Sequence, residues 1–284
     1  MKSVVVTGVS TGIGFGTAKV LTGAGYRVFG SVRRTADANR VAAELGPNFT
    51  PLLFDVTDEA AVAAAARAVR VALEGERLAG LVNNAGVVVP GPLLELSIEE
   101  FRRQIEVNLV AQLSVTQAFA PLLGTDASLK GPPGRIVMIS SVAGKNGSPF
   151  VGPYAASKHG LEGLSASLRR ELMVYGIDVI IIGPGAIKTP IWDKADAVDL
   201  ARYQNTPYYD ALNRVRGFVA DMAKTGLAPE KVGELVLKAL THPRPRARYT
   251  IVPDRLVNFI TRMLPARLVD REIARRLGFT KKRG

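Results

Sequence analysis

Seven short runs along the chain are apolar at nearly every position rather than at every second one: 3–6, 27–32, 50–54, 80–83, 135–140, 178–182 and 249–252. Continuous Val/Ile/Leu runs of this length predict strands of a parallel sheet covered on both faces. Between them lie stretches of helical periodicity at 14–24, 37–45, 58–73, 98–123, 154–175 and 229–241. This alternation predicts a single doubly wound, Rossmann-type α/β domain over residues 1–252, with a seven-stranded, mostly parallel sheet and helices on both faces. No internal repeat or interdomain linker breaks it. The stretch 124–134, rich in proline and glycine, predicts a surface connection.

Two regions depart from the alternation. Residues 187–228 form a long connection holding Trp192, Tyr203, Tyr208, Tyr209, Phe218 and Met222. Loops at strand ends carry the ligand in open α/β sheets, so a substrate lid is expected here. Surface helices with ordinary packing aromatics are the alternative. Residues 253–284 form an extension in which Leu256, Ile260, Met263 and Leu264 fall at helical spacing. Pro265 interrupts, and Val269, Ile273 and Leu277 continue at intervals of four. Arg262, Arg267, Arg271, Arg275, Arg276, Lys281, Lys282 and Arg283 surround that stripe. A basic amphipathic helix suits two roles: peripheral contact with an anionic membrane, or packing on the body as a terminal helix that covers a pocket.

Composition narrows the classes. Net charge is +12, but twelve Lys/Arg against three Asp/Glu put +9 of it in the last 41 residues, leaving +3 on the body. With no nucleic-acid-binding motif beside it, this charge predicts no nucleic-acid partner. The chain has no cysteine and only His159 and His242 as histidines, which excludes disulfides, thiolate chemistry and a zinc site. The first strand begins almost at Met1, and no uninterrupted apolar run reaches the roughly 20 residues of a bilayer span. The expected setting is therefore the reducing cytoplasm.

The first strand leads into Thr7-Gly8-Val9-Ser10-Thr11-Gly12-Ile13-Gly14. Three glycines let the chain turn tightly and bring backbone N–H groups and a helix N-terminus against a pyrophosphate. A plain strand–helix turn is the alternative. The second strand ends on Arg33 and Arg34, with no acid before Asp37. An acid there would hold a ribose 2′-hydroxyl, whereas the planar fork of arginine suits a 2′-phosphate. A solvated strand end is the competing reading. Asp55 and Val56 close the third strand, where they are expected to face adenine. In Asn83-Asn84-Ala85-Gly86, small residues are expected to let backbone approach the adenosine ribose.

At the other end of the sheet, Tyr154 and Lys158 are four apart at the start of a helix and share one face. A buried ammonium beside a phenol favours the phenolate, and it is expected to lower the tyrosine pKa from ~10 toward neutrality. A shift of ~3 units corresponds to ~4 kcal/mol. Such a tyrosine exchanges a proton with an alcohol or carbonyl. Many Tyr/Lys pairs at this spacing are surface packing. The surroundings favour chemistry: Ser141 ends the fifth strand thirteen residues upstream, and Asn108 interrupts an apolar helix stretch. A buried Asn needs partners, so a capped kink is its plain role. Pro184, Gly185, Ile187 and Thr189 follow the sixth strand, where they are expected to approach a nicotinamide carboxamide.

Together these motifs make the sequence similar to the compact short-chain dehydrogenase/reductase family over about residues 1–190. The Thr-Gly-x-x-x-Gly-x-Gly turn matches at 7–14, Asn-Asn-Ala-Gly at 83–86 and Tyr-x-x-x-Lys at 154–158. The resemblance implies a catalytic tetrad of Asn108, Ser141, Tyr154 and Lys158, with hydride transfer at a nicotinamide. Tyr154 would be the acid or base and Ser141 would hold the substrate oxygen. Lys158 would hold the nicotinamide ribose and tune Tyr154, and Asn108 would hold a relay water. Arg33 falls where NADP-preferring members carry their arginine. The helices 98–123 and 154–175 resemble those of the family's four-helix interface, which implies a dimer or tetramer. The extension beyond Arg248-Tyr249-Thr250-Ile251-Val252-Pro253 is similar to steroid- and retinol-type members, implying NADP(H) and a lipophilic carbonyl or alcohol. A ketoacyl or quinone-type reductase and a non-catalytic NADP(H)-binding sensor are the alternatives.

Overall fold

The computed structural model describes residues 1–190, 199–254 and 263–279, with Leu256 and Ile260; the side chains of 219–224 lie outside the description. The seven apolar runs are the strands of one sheet: β1 (Ser3–Val6), β2 (Arg27–Val32), β3 (Phe49–Leu53), β4 (Gly80–Asn83), β5 (Arg135–Ile139), β6 (Asp178–Pro184) and β7 (Arg248–Ile251). Their order is β3-β2-β1-β4-β5-β6-β7. Every neighbouring pair is parallel, so the sheet expected to be mostly parallel is parallel throughout. Every residue of β1 and β4 is buried, as double coverage requires. Pro51 is tolerated because β3 is an edge strand. Strand order reverses between β1 and β4, and this opens a crevice at their carboxyl ends.

Helices α1 (Gly12–Gly23), α2 (Thr35–Leu45) and α8 (Pro229–Thr241) belong to one face, and α3 (Glu59–Ala72), α5 (Ala111–Ala120) and α6 (Gly152–Glu171) to the other. Apolar cores fill both interfaces. Leu81, Val115, Phe119 and Met138 meet on one side, and Val4, Val28, Ile180 and Val236 on the other.

The helix expected at 98–123 is not continuous. It runs as α4 (Ile98–Ile105), a π-helical turn (Glu106–Val110), α5, and a second π turn (Pro121–Thr125). Ser97 starts it with a capping box: Glu100 N–H donates to Ser97 Oγ at 3.1 Å, and Ser97 N–H to Glu100 Oε2 at 2.8 Å. By length and composition Ile98–Thr125 is apolar enough to cross a membrane, although polar residues interrupt it. Its inner face carries Gln104, Asn108, Gln112 and Thr116, all buried. Gln104 and Gln112 donate to the carbonyls of Val87 and Ala85, so this segment is bonded to the loop after β4.

In the expected lid region, Ile187 pairs with Leu227, a 3₁₀ turn covers Leu200–Tyr203, and α7 (Tyr209–Thr225) follows. Trp192 and the Met222 side chain lie outside the described residues. Helix α9 (Ala266–Leu277) packs Ile273 and Leu277 on a small cluster of Phe150, Tyr203, Ala211 and Leu212. Helix α9 of the C-terminal extension thus packs against α7 and the Leu200–Tyr203 turn of the expected lid region.

Candidate active site

A cavity of about 1300 Å³ follows the crevice from Arg33 and Asp55 to Tyr154 and on to α7 and α9. At one end the glycine-rich turn is fastened from below. Thr7 Oγ1 accepts from the N–H groups of Asn84 and Ala85 at 2.9 and 3.0 Å. Asn84 Nδ2 donates to the carbonyls of Thr7 and Gly8 at 2.8 and 3.1 Å. A Cβ at Gly14 would lie 2.1 Å from Gly8 O and 2.5 Å from Asn84 Nδ2, so only glycine lets α1 begin this close to the turn. Gly8 itself has φ 70°, a conformation open to glycine.

Gly8, Ser10, Thr11, Gly12 and Ile13 line the cavity, as do Arg33, Asp55, Val56, Ala85, Gly86, Pro184, Gly185, Ile187 and Thr189. Gly14 lies buried beneath the turn. Two further expected contacts fall outside the lining. Asn83 is buried and donates to Thr116 Oγ1 at 2.8 Å, because its position in β4 turns the side chain into the core; its neighbour Asn84 does the work at the turn. Arg34 points away and grips Asp37 with Nε at 2.8 Å and Nη2 at 3.2 Å. That hydrogen bond holds the Asp37 carboxyl below its usual pKa, so the first acid after β2 is already paired. Arg33 is loosely held, 3.8 Å from Asp55. Arg40, which the sequence did not single out, reaches from α2 to donate to the Ser10 carbonyl of the turn.

At the chemical end, Tyr154 and Lys158 share the inner face of α6. Lys158 is buried, donates to the Ile139 carbonyl at 2.8 Å, and lies 5.7 Å from the centre of the Tyr154 ring. Burial pushes the Lys158 ammonium down to about 8, and the Glu162 carboxylate partly opposes this. The expected lowering of the Tyr154 pKa is overturned in this structure. Burial raises it, opposed only by the hydrogen bond with Ser141. The physical reason is that burial disfavours the charged phenolate, while the neighbouring ammonium donates to the Ile139 carbonyl. At neutral pH Tyr154 is a protonated phenol, a proton donor.

Asn108 is buried in the first π turn and does not line the cavity. Its side chain accepts from Val87 N–H at 2.9 Å and donates to Val87 O at 3.0 Å and to Ser157 Oγ at 3.2 Å. Ser157 Oγ in turn donates to the Tyr154 carbonyl at 2.7 Å. Asn108 therefore ties the loop after β4 to the turn of α6 that presents the tyrosine. π turns recur at such places because they admit an extra residue into a helix.

Sequence reasoning missed a buried ion pair behind the site. Glu162, one turn beyond Lys158, meets Arg248 Nε from β7 at 3.0 Å and Lys145 Nζ at 3.2 Å. Arg248 Nη2 also donates to the Ser141 carbonyl at 3.3 Å. The pair thus braces the serine and the lysine from one side. No local motif marks it, since its members are 86 residues apart.

Beyond Tyr154 the lining turns apolar, with Val142, Val151, Val215, Phe218, Ile273 and Leu277 among it. Phe150 anchors this end. Its φ of 66° is rare outside glycine, and it packs edge-on against Tyr208 and Phe279 at 6.1 and 5.9 Å.

The comparisons with known proteins agree with this geometry. Residues 2–199 match the family model described as short chain dehydrogenase. The NADPH-dependent 3-dehydrocapnine reductase of Ornithobacterium rhinotracheale is 39% identical over 272 residues, covering 95% of both chains. Retinol dehydrogenase 5 of Homo sapiens is 33% identical, covering 94% of this chain and 86% of that protein. The fold matches a crystal structure of a short chain dehydrogenase/reductase from Burkholderia phymatum in complex with NAD, with a TM-score of 0.78 at 23% identity and 95% coverage of each chain. A parallel sheet with a glycine turn at its switch point, a Tyr/Lys pair facing the same cleft, and a family match over most of the length all converge: the chain belongs to the short-chain dehydrogenase/reductase family of oxidoreductases.

Proposed function

We propose that this oxidoreductase uses NADP(H) to interconvert a carbonyl and an alcohol on a lipophilic substrate. The observation that carries the reading is Tyr154, half-buried and lining the same cavity as Ser141 and Lys158, standing where the polar nucleotide cleft meets an apolar pocket. The cleft residues fit a dinucleotide: Gly8 and Gly12 of the turn present backbone alone to the cavity, and Arg33 has no partner closer than Asp55 at 3.8 Å at the expected 2′-phosphate end. When bound, the nicotinamide supplies or accepts the hydride. Ser141 orients the carbonyl oxygen, and the Tyr154 phenol donates its proton to that oxygen in reduction. Lys158, charged below about pH 8, stabilises the phenolate left behind. The name of the 3-dehydrocapnine reductase supports NADPH, and that of retinol dehydrogenase 5 supports an apolar substrate. The resemblance to its family further supports a dimer or tetramer.

Tyr154→Phe keeps the ring and removes the proton. It should cut kcat by about 10²–10⁴-fold while NADPH still binds; retention of more than about a tenth of kcat defeats the assignment. A turnover panel of retinal, ketosteroids, ketoacyl thioesters and quinones tests the substrate class. Preference for thioester or quinone, with the apolar carbonyls refused, would replace it. Arg33→Ala should lower kcat/KM for NADPH by about tenfold or more and leave NADH nearly unchanged, as loss of a charge-assisted phosphate contact requires.

A further inference from the structure

The C-terminal extension divides its apolar stripe between two surfaces. Ile273 and Leu277 turn inward, wall the apolar end of the cavity and pack on Phe150 and Leu212. Leu256, Ile260, Met263, Leu264 and Leu268 do not follow them. Leu256 is 67% and Met263 70% exposed, and the other three are exposed as well. Leu264 N–H donates to the Ile260 carbonyl at 3.1 Å, the bond of a helical turn, so these two apolar side chains fall on one side. Arg267 and Arg271 are exposed in the row beside Leu264 and Leu268.

We propose that the exposed stripe of Leu256, Ile260, Met263, Leu264 and Leu268 docks the protein on an anionic lipid bilayer, with the helix that walls the apolar end of the substrate cavity beside the membrane. Charge decides between the occupants of such a face. The last 41 residues carry +9, so a second copy seated on this face would bring like charges together. An anionic bilayer offers the opposite sign to the arginines and hydrocarbon to the leucines. The placement also has a use. Helix α9 shows one face to the cavity and the other to the outside, so a lipid-held substrate would meet the pocket at the helix that forms its wall. This last clause rests on the lipophilic-substrate reading; the docking does not.

Co-sedimentation of the full chain with vesicles of phosphatidylglycerol and phosphatidylcholine, at low salt, tests it. Binding should exceed that to phosphatidylcholine alone. The variant Leu256→Ser/Ile260→Ser/Met263→Ser/Leu264→Ser should bind about tenfold more weakly, because an interfacial helix needs its apolar face as well as its charge. Its turnover of a small water-soluble carbonyl should stay within about twofold of wild type, which reports an intact fold. The proposal is overturned if the full chain stays in the supernatant, or if the variant sediments like wild type. A drop in oligomer mass with unchanged vesicle binding would assign the face to a second copy instead. Vesicle binding without turnover of any apolar carbonyl would defeat the catalytic reading and leave the docking standing.

Discussion

Lys158 is asked to remain charged in a place that works against charge. It sits behind Tyr154, with its ammonium on the Ile139 carbonyl and its pKa pushed down to about 8 by burial. The charged groups around it are Glu162 on its own helix, Lys145 from the turn after β5, and Arg248 from β7. Of these, Glu162 holds the lysine pKa up. The cation is present below its pKa, so turnover should fall as the pH rises through about 8. Glu162→Gln removes the supporting carboxylate, and the alkaline limb of the kcat profile should then move to lower pH. A merely structural role would lower kcat at every pH without moving the limb. The same change leaves Arg248 without its partner, and loss of one member of a buried pair typically destabilises by ~3–5 kcal/mol, so the melting temperature should drop too.

At the scale of elements, α9 and α7 close the apolar end of the cavity. Leu277 is buried against Phe150 and Tyr203, and Arg214 on α7 donates to the Leu277 carbonyl at 2.7 Å. These contacts make the end of the chain part of the pocket. A form ending at Val252 should show KM for a bulky apolar substrate raised by about tenfold or more, with KM for NADPH little changed. A chain that keeps both constants would show that α9 does not shape the pocket. Helix α9 meets a small cluster rather than either main core, so the truncated form should still melt cooperatively.

The whole molecule is a parallel sheet whose two faces are covered by its own helices, yet α6 still shows a face to solvent. Ala156, His159, Gly163 and Ser167 are exposed at helical spacing, and Val110 beside them is exposed as well. Of that row Ala156, Gly163 and Ser167 are small, which lets a second helix approach closely. Light scattering at micromolar concentration should therefore give the mass of a dimer or tetramer. A monomer there would refute the assembly, and bulky charge at Gly163 (Gly163→Glu) should reduce the mass without unfolding the chain.

The sequence by itself determined the architecture. Seven continuous apolar runs separated by helical stretches leave little choice but a doubly covered parallel sheet, and the boundaries at β1, β2, β4 and α8 coincide with the observed elements. It also placed the glycine turn and the Tyr/Lys face, because both are local: one depends on three nearby glycines, the other on a four-residue spacing. What is non-local only the tertiary structure decided. Asn83 and Asn84 are neighbours in sequence, but strand alternation sends one into the core and the other to the turn. Arg33 and Arg34 read alike, yet Asp37 captures Arg34 and leaves Arg33 at the cleft. The helix at 98–123 breaks into π turns, the first holding Asn108, whose amide is bonded to Val87 and Ser157 on separate segments. The Tyr154 proton is governed by burial, which periodicity cannot measure. The division of the C-terminal stripe between pocket and exterior depends on which positions find a partner surface, and that surface is assembled from Phe150, Tyr203 and Leu212, far away along the chain.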